Sequence, residues 1–123
     1  MTRKKILLVD DAETILMMER MILNKRTYEL VTAKDGEEAL TKACDEQPDL
    51  ILLDVIMPKM NGFEVCHELR KNEKTSSIPV IMVTTRGEAE NVEIGYERGC
   101  NDYVTKPINR MELLKKVRNI VGD

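Results

Sequence analysis

The sequence predicts an α/β fold: a doubly wound parallel sheet of five strands in the order 2-1-3-4-5, with five helices over its two faces. Three observations predict it. Ile6-Leu7-Leu8-Val9, Leu50-Ile51-Leu52-Leu53 and Val80-Ile81-Met82-Val83 are apolar without alternation, as strands buried on both faces of a parallel sheet are. Two mixed runs, Tyr28 to Ala33 and Asn101 to Thr105, suit edge strands with a partly wet face. Segments of helical apolar spacing separate all five, and strictly alternating strands and helices build a parallel sheet with right-handed crossovers.

Each element has its own signature. The first strand, Ile6 to Val9, leads into a helix whose stripe is Ala12, Ile15, Leu16, Met18 and Ile22, with Asp11 as its cap and Met17 and Met21 partly exposed. After the second strand, Asp35 with Glu38 three residues on marks a helix start, followed by Ala39, Leu40, Ala43 and Cys44. Pro48 separates this helix from the third strand. Asn61 with Glu64 opens the third helix, striped by Phe63, Cys66 and Leu69, with His67 on its surface. Thr85 with Glu88 opens a fourth, about 88–98, whose stripe of Ala89, Val92 and Tyr96 is broken by Ile94 and Gly95 and which Gly99 closes. Asn109 with Glu112 opens the last helix, with the most regular stripe: Leu113, Leu114, Val117, Ile120 and Val121. No linker, repeat or low-complexity stretch interrupts the chain, so residues 1–123 read as one domain.

Composition removes several function classes. With 19 basic and 22 acidic residues the net charge is −3, against a binder that relies on a strong basic field. Aromatics are 3% and Trp is absent, against a base-stacking surface. Cys44, Cys66 and Cys100 include no C-x-x-C spacing and read as small apolar residues in a reducing compartment. No apolar run reaches the ~20 residues that span a bilayer. A cytoplasmic location is the expectation.

The polar residues fall where such a sheet binds ligands, beyond the carboxyl ends of its strands at the reversal of strand order. Asp10 and Asp11 follow the first strand, Asp54 the third, Thr84 and Thr85 the fourth, and Lys106 the fifth. Three carboxylates in one crevice repel each other and call for a cation. An all-oxygen ligand set favours a hard one, Mg²⁺ or Mn²⁺. The Lys106 ammonium and the Thr84 hydroxyl suit phosphoryl oxygens, and the Asp54 carboxylate can attack phosphorus. The inference is an aspartyl-phosphate site.

The set Ile6-Leu7-Leu8-Val9-Asp10-Asp11, Asp54-Val55-Ile56-Met57-Pro58-Lys59-Met60-Asn61-Gly62, Val83-Thr84 and Tyr103-Val104-Thr105-Lys106-Pro107 resembles a response-regulator receiver domain over essentially the whole chain. The resemblance implies a flavodoxin-like fold and a role in two-component signalling. Asp54 would accept a phosphoryl group from a sensor histidine kinase or phosphotransfer protein. Asp10, Asp11, Asp54 and the Ile56 backbone carbonyl would hold Mg²⁺. Thr84 and Lys106 would bind the phosphoryl group, and Tyr103 would turn inward as Thr84 moves. Ile56 and Arg86 would tune hydrolysis, and the Lys106–Pro107 peptide would be cis. Gly62 would permit the tight turn into the third helix. The face of the fourth helix, fifth strand and fifth helix would meet a downstream target, an output domain or a second copy in a phosphorylation-dependent dimer, with no membrane and no direct nucleic-acid contact.

Two rivals stand against this switch with slow self-dephosphorylation. A Mg²⁺-dependent phosphohydrolase needs a second carboxylate two residues after its nucleophile, and that position is Ile56. A receiver that acts only as an unphosphorylated docking surface has no use for Asp54, Thr84 and Lys106 together.

Overall fold

The computed structural model describes residues 3–23, 26–85, 93–94 and 97–122. Five strands, β1 (Lys4–Val9), β2 (Tyr28–Ala33), β3 (Leu50–Asp54), β4 (Val80–Thr85) and β5 (Asp102–Lys106), form one parallel sheet in the order β2-β1-β3-β4-β5. Four helices lie among the described residues: α1 (Glu13–Ile22), α2 (Gly36–Glu46), α3 (Gly62–Lys71) and α4 (Arg110–Val121), the last being the fifth that the sequence predicts. Most of the fourth predicted helix, with Val92 and Tyr96, lies outside the described residues. Of that stretch, Glu93, Ile94 and Glu97 are helical, and Gly99 follows at φ +103°.

The unalternating strands are explained by two cores, one on each side of the sheet. Leu7, Val9, Ile51 and Leu53 pack with Ala39 and Ala43 of α2 and Val65, Cys66 and Leu69 of α3. Ile6, Leu8, Leu50 and Leu52 pack with Leu16 and Ile22 of α1 and Leu113 and Val117 of α4. Register pairs Ile6 with Leu50 and Leu8 with Leu52, so side chains of one parity form continuous rows. The three cysteines are free thiols.

Helix starts follow the sequence signals in three cases. Asp35 and Asn109 accept from the backbone N–H of Glu38 and Glu112, and Asn61 with Glu64 forms a reciprocal capping box. The first helix departs from expectation. Asp11 does not cap it. Its N-cap is Ala12, without a side-chain bond, and the buried Asp10 instead takes the Ala12 N–H on Oδ1 at 2.9 Å. Its buried face also differs: Leu16, Glu19 and Ile22 are buried, whereas Met18 is 41% exposed.

Candidate functional site

The chain turns polar at the carboxyl ends of β1, β3 and β5, which lie along one rim of the sheet. Asp54 closes β3 and Lys106 closes β5, and Asp10 follows the last residue of β1. The alternation that puts Leu8, Leu52 and Val104 on the α1–α4 side carries Asp10, Asp54 and Lys106 onto that same side. The outcome is a converging group. Lys106 Nζ lies 3.1 Å from Asp54 Oδ1 and 3.3 Å from Asp10 Oδ2. Carboxylate oxygens of Asp10, Asp11 and Asp54 lie within 4.8 Å of one another. Asp10 and Asp54 are buried and Asp11 is exposed, so the cluster opens to solvent on one side.

Burial and charge act against each other here. Burial, with the neighbouring Asp10 carboxylate, pushes Asp54 up to about 6, and Lys106 pulls in the opposite direction. Burial lowers Lys106, but the facing Asp54 and Asp10 carboxylates outweigh it, and its pKa is raised overall. One ammonium does not offset three carboxylates. The donor set is oxygen alone, part buried and part open, and fits a hard divalent cation that retains water. Asp10, Asp11 and Asp54 would supply its carboxylate ligands.

The β3–α3 connection is folded tightly against the site. Gly62 N–H donates to the Val55 carbonyl at 2.8 Å, and a Cβ at Gly62 would stand 2.4 Å from the Asp54 carbonyl oxygen. Glycine is required there by close backbone approach. The same loop leaves Ile56 exposed, 62%, two residues from Asp54. On the other side, Thr84 is buried, and its Oγ1 has no hydrogen-bond partner among the described residues. A buried hydroxyl in that condition is costly unless a ligand satisfies it. Register sets Tyr103 opposite Met82 and Thr105 opposite Thr84, so Thr84 and Tyr103 share one face of the sheet. Tyr103 is half-buried, with Lys116 Nζ 4.6 Å from its ring centroid. The Lys106–Pro107 peptide is cis. Arg86 lies outside the described residues.

One buried ionisable residue carried no sequence signal as part of the site. Glu19, on the inner face of α1, is 1% exposed, and its Oε1 has no hydrogen-bond partner among the described residues. Burial, then the nearby Asp10 charge, pushes it up to about 8.

Residues 6–118 match the family model of the response regulator receiver domain. The alkaline phosphatase synthesis transcriptional regulatory protein PhoP of Bacillus subtilis is 44% identical over 96% of this chain and 48% of its own length. The chain spans about half the length of the first curated relatives it matches. Among solved structures, the chemotaxis protein CheY4 of Vibrio cholerae is 36% identical, with a TM-score of 0.90 over 97% of this chain and 99% of that one. The receiver domain of a sensor histidine kinase from Pseudomonas aeruginosa, with a magnesium ion coordinated in its active-site cleft, is 28% identical, with a TM-score of 0.89 over 99% of this chain and 100% of that one.

Proposed function

Because the chain belongs to the response regulator receiver family, whose members act as phosphorylation-activated switches in two-component signalling, we propose that Asp54 is its phosphoacceptor. The observation that carries this is the convergence of Asp10, Asp11, Asp54 and Lys106 at the carboxyl ends of β1, β3 and β5. An Asp54 oxygen attacks phosphorus, and the bond from phosphorus to the donor breaks. From a phosphohistidine that bond is P–N, and the imidazole leaves to be reprotonated by solvent. A Mg²⁺ held by Asp10, Asp11 and Asp54 would supply charge neutralisation at the transferring oxygens. Lys106 exchanges part of its contact with the carboxylates for a phosphoryl oxygen, and Thr84 donates its unpaired hydroxyl to another.

Thr84 moving toward the phosphoryl group changes the space beside Tyr103 on the shared sheet face. The proposed output surface is therefore β5, α4 and the residues before β5. Its partner is a downstream protein, an output domain or a second copy of the chain. The partner that phosphorylates it is a histidine kinase or a phosphotransfer protein. The domain is a switch with slow self-dephosphorylation. The exposed apolar side chain of Ile56 gives no hydrogen bond to an attacking water, and Arg86 occupies the second tuning position. Replacing Ile56→Asn should shorten the phosphoryl lifetime, measured as loss of label after donor removal; an equal or longer lifetime would contradict that role.

Incubation with acetyl phosphate and Mg²⁺ tests the reading. The wild-type chain should gain the mass of one phosphoryl group, and Asp54→Ala should gain none. Equal labelling of the two would overturn the assignment.

A further inference from the structure

Glu19 is the buried charge-bearing group that the phosphoryl-transfer reading leaves without a task. It takes a place on α1 between Leu16 and Ile22, whose side chains sit in the apolar cluster with Leu8, Leu52, Val83, Val104, Leu113 and Val117. A carboxylate there, 1% exposed and with one oxygen unpaired among the described residues, cannot hold its charge without large cost. The neutral acid costs far less.

Its electrical surroundings are those of the acidic pocket. The groups acting on it are Asp10 at the end of β1, Asp54 at the end of β3 and Lys106 at the end of β5. They act through space: among the described residues no ion pair or hydrogen bond joins Glu19 to any of them. On its own helix, Arg20 is paired with Glu13. From α4, Leu113, Val117 and Val121 are the buried residues, and Lys116 is committed to Asp102 and Glu112. Burial does most to keep the proton on Glu19, and the two carboxylates, partly offset by the one ammonium, add to it. A divalent cation in the pocket would reverse the sign of their combined field.

We propose that Glu19 is a buried proton store that couples divalent-cation binding in the pocket to proton release. The inference rests on the reading of Asp10, Asp11 and Asp54 as a cation site. As the cation binds, the O–H bond of the Glu19 carboxyl breaks, the proton leaves to solvent, and the new carboxylate adds a negative charge behind the pocket. Linkage makes the effect reciprocal: whatever lowers the proton affinity of Glu19 must make cation binding tighter as pH rises.

The test follows the Glu19 side-chain carboxyl carbon by ¹³C NMR in the full chain. Its resonance is assigned by its absence from Glu19→Gln. In metal-free buffer the carboxyl should titrate near pH 8, far above ordinary glutamates. With saturating MgCl₂ the midpoint should fall by about one unit or more. In parallel, Mg²⁺ affinity should rise about tenfold from pH 7 to pH 9 in the wild type and stay flat in Glu19→Gln. Asp54 is already ionised across that range, so it contributes little to the difference. An identical Glu19 midpoint with and without Mg²⁺, or the same pH slope in both proteins, would overturn the proposal and leave the phosphoacceptor reading standing. Loss of all Mg²⁺ binding at every pH in the wild type would overturn the cation site, and this inference with it.

Discussion

Two buried carboxyl groups make the folded chain lose stability as pH rises. Asp54 and Glu19 are both raised in the folded chain, to about 6 and about 8, from ordinary values of 3.8 and 4.5. A raised carboxyl binds its proton more tightly folded than unfolded. Its stabilising contribution is complete below the unfolded value and is lost as pH climbs through the folded one. In metal-free buffer, stability should therefore fall between about pH 4 and pH 6 on account of Asp54, and again up to about pH 9 on account of Glu19. The second loss is of order 3–5 kcal/mol. Urea unfolding across pH 6–9 checks it: Glu19→Leu should be more stable than wild type at pH 9, and the gap should narrow toward pH 6. A constant gap would show that Glu19 does not titrate in this window. The strand-end residues were legible because a carboxylate following four apolar strand residues has no bland use. Glu19 was not legible, because a single charged residue among helical positions gives no sign of which way it faces.

At the scale of elements, that ambiguity has a geometric origin. Residues on a helix advance by about 100° each. Ile15, Met18 and Ile22 form one possible inner stripe, and Leu16, Glu19 and Leu23 form another. The apolar reading takes Ala12, Ile15, Leu16, Met18 and Ile22 together; the fold buries Leu16 and Ile22 with Glu19 and Leu23 and leaves Met18 exposed, since helix orientation is decided by contacts with the sheet and α4. The first helix cap was misread for a related reason. Asp11 has the right residue type, but the side chain within reach of the Ala12 N–H is that of Asp10. Where the turn itself is local, as at Asn61 and Glu64, sequence and structure agree. The β3–α3 turn gives a sharper test. Gly62→Ala would set a methyl against the Asp54 carbonyl and the Val55 backbone, neither of which can swing away as a flexible side chain can. It should cost about 2 kcal/mol or more in urea unfolding and slow labelling by acetyl phosphate, because the strand end bearing Asp54 must shift. Stability and labelling both equal to wild type would contradict the described turn.

At the scale of the molecule, strand order is what brings distant residues together. Asp10 and Lys106 are 96 positions apart, yet β1 and β5 end on the same rim, with β3 and β4 between them. Unbroken apolar runs marked the three central strands, and the mixed runs marked the two edges. The stretch between β4 and β5 gave the weakest helical pattern in the sequence. The switch should be legible from the outside as well. Beryllofluoride, which mimics the aspartyl phosphate, should alter amide exchange at residues 97–106 as well as around Asp54. Changes confined to the Asp54 pocket would remove the proposed output surface. The central claim, that this rim receives a phosphoryl group on one particular carboxylate, is tested most directly by trapping the product. After acetyl phosphate and Mg²⁺ treatment, borohydride reduces an aspartyl phosphate to homoserine, which peptide mass spectrometry locates. The account predicts homoserine at position 54; homoserine at position 10 or 11, or at no position in a chain that has gained phosphoryl mass, would contradict it.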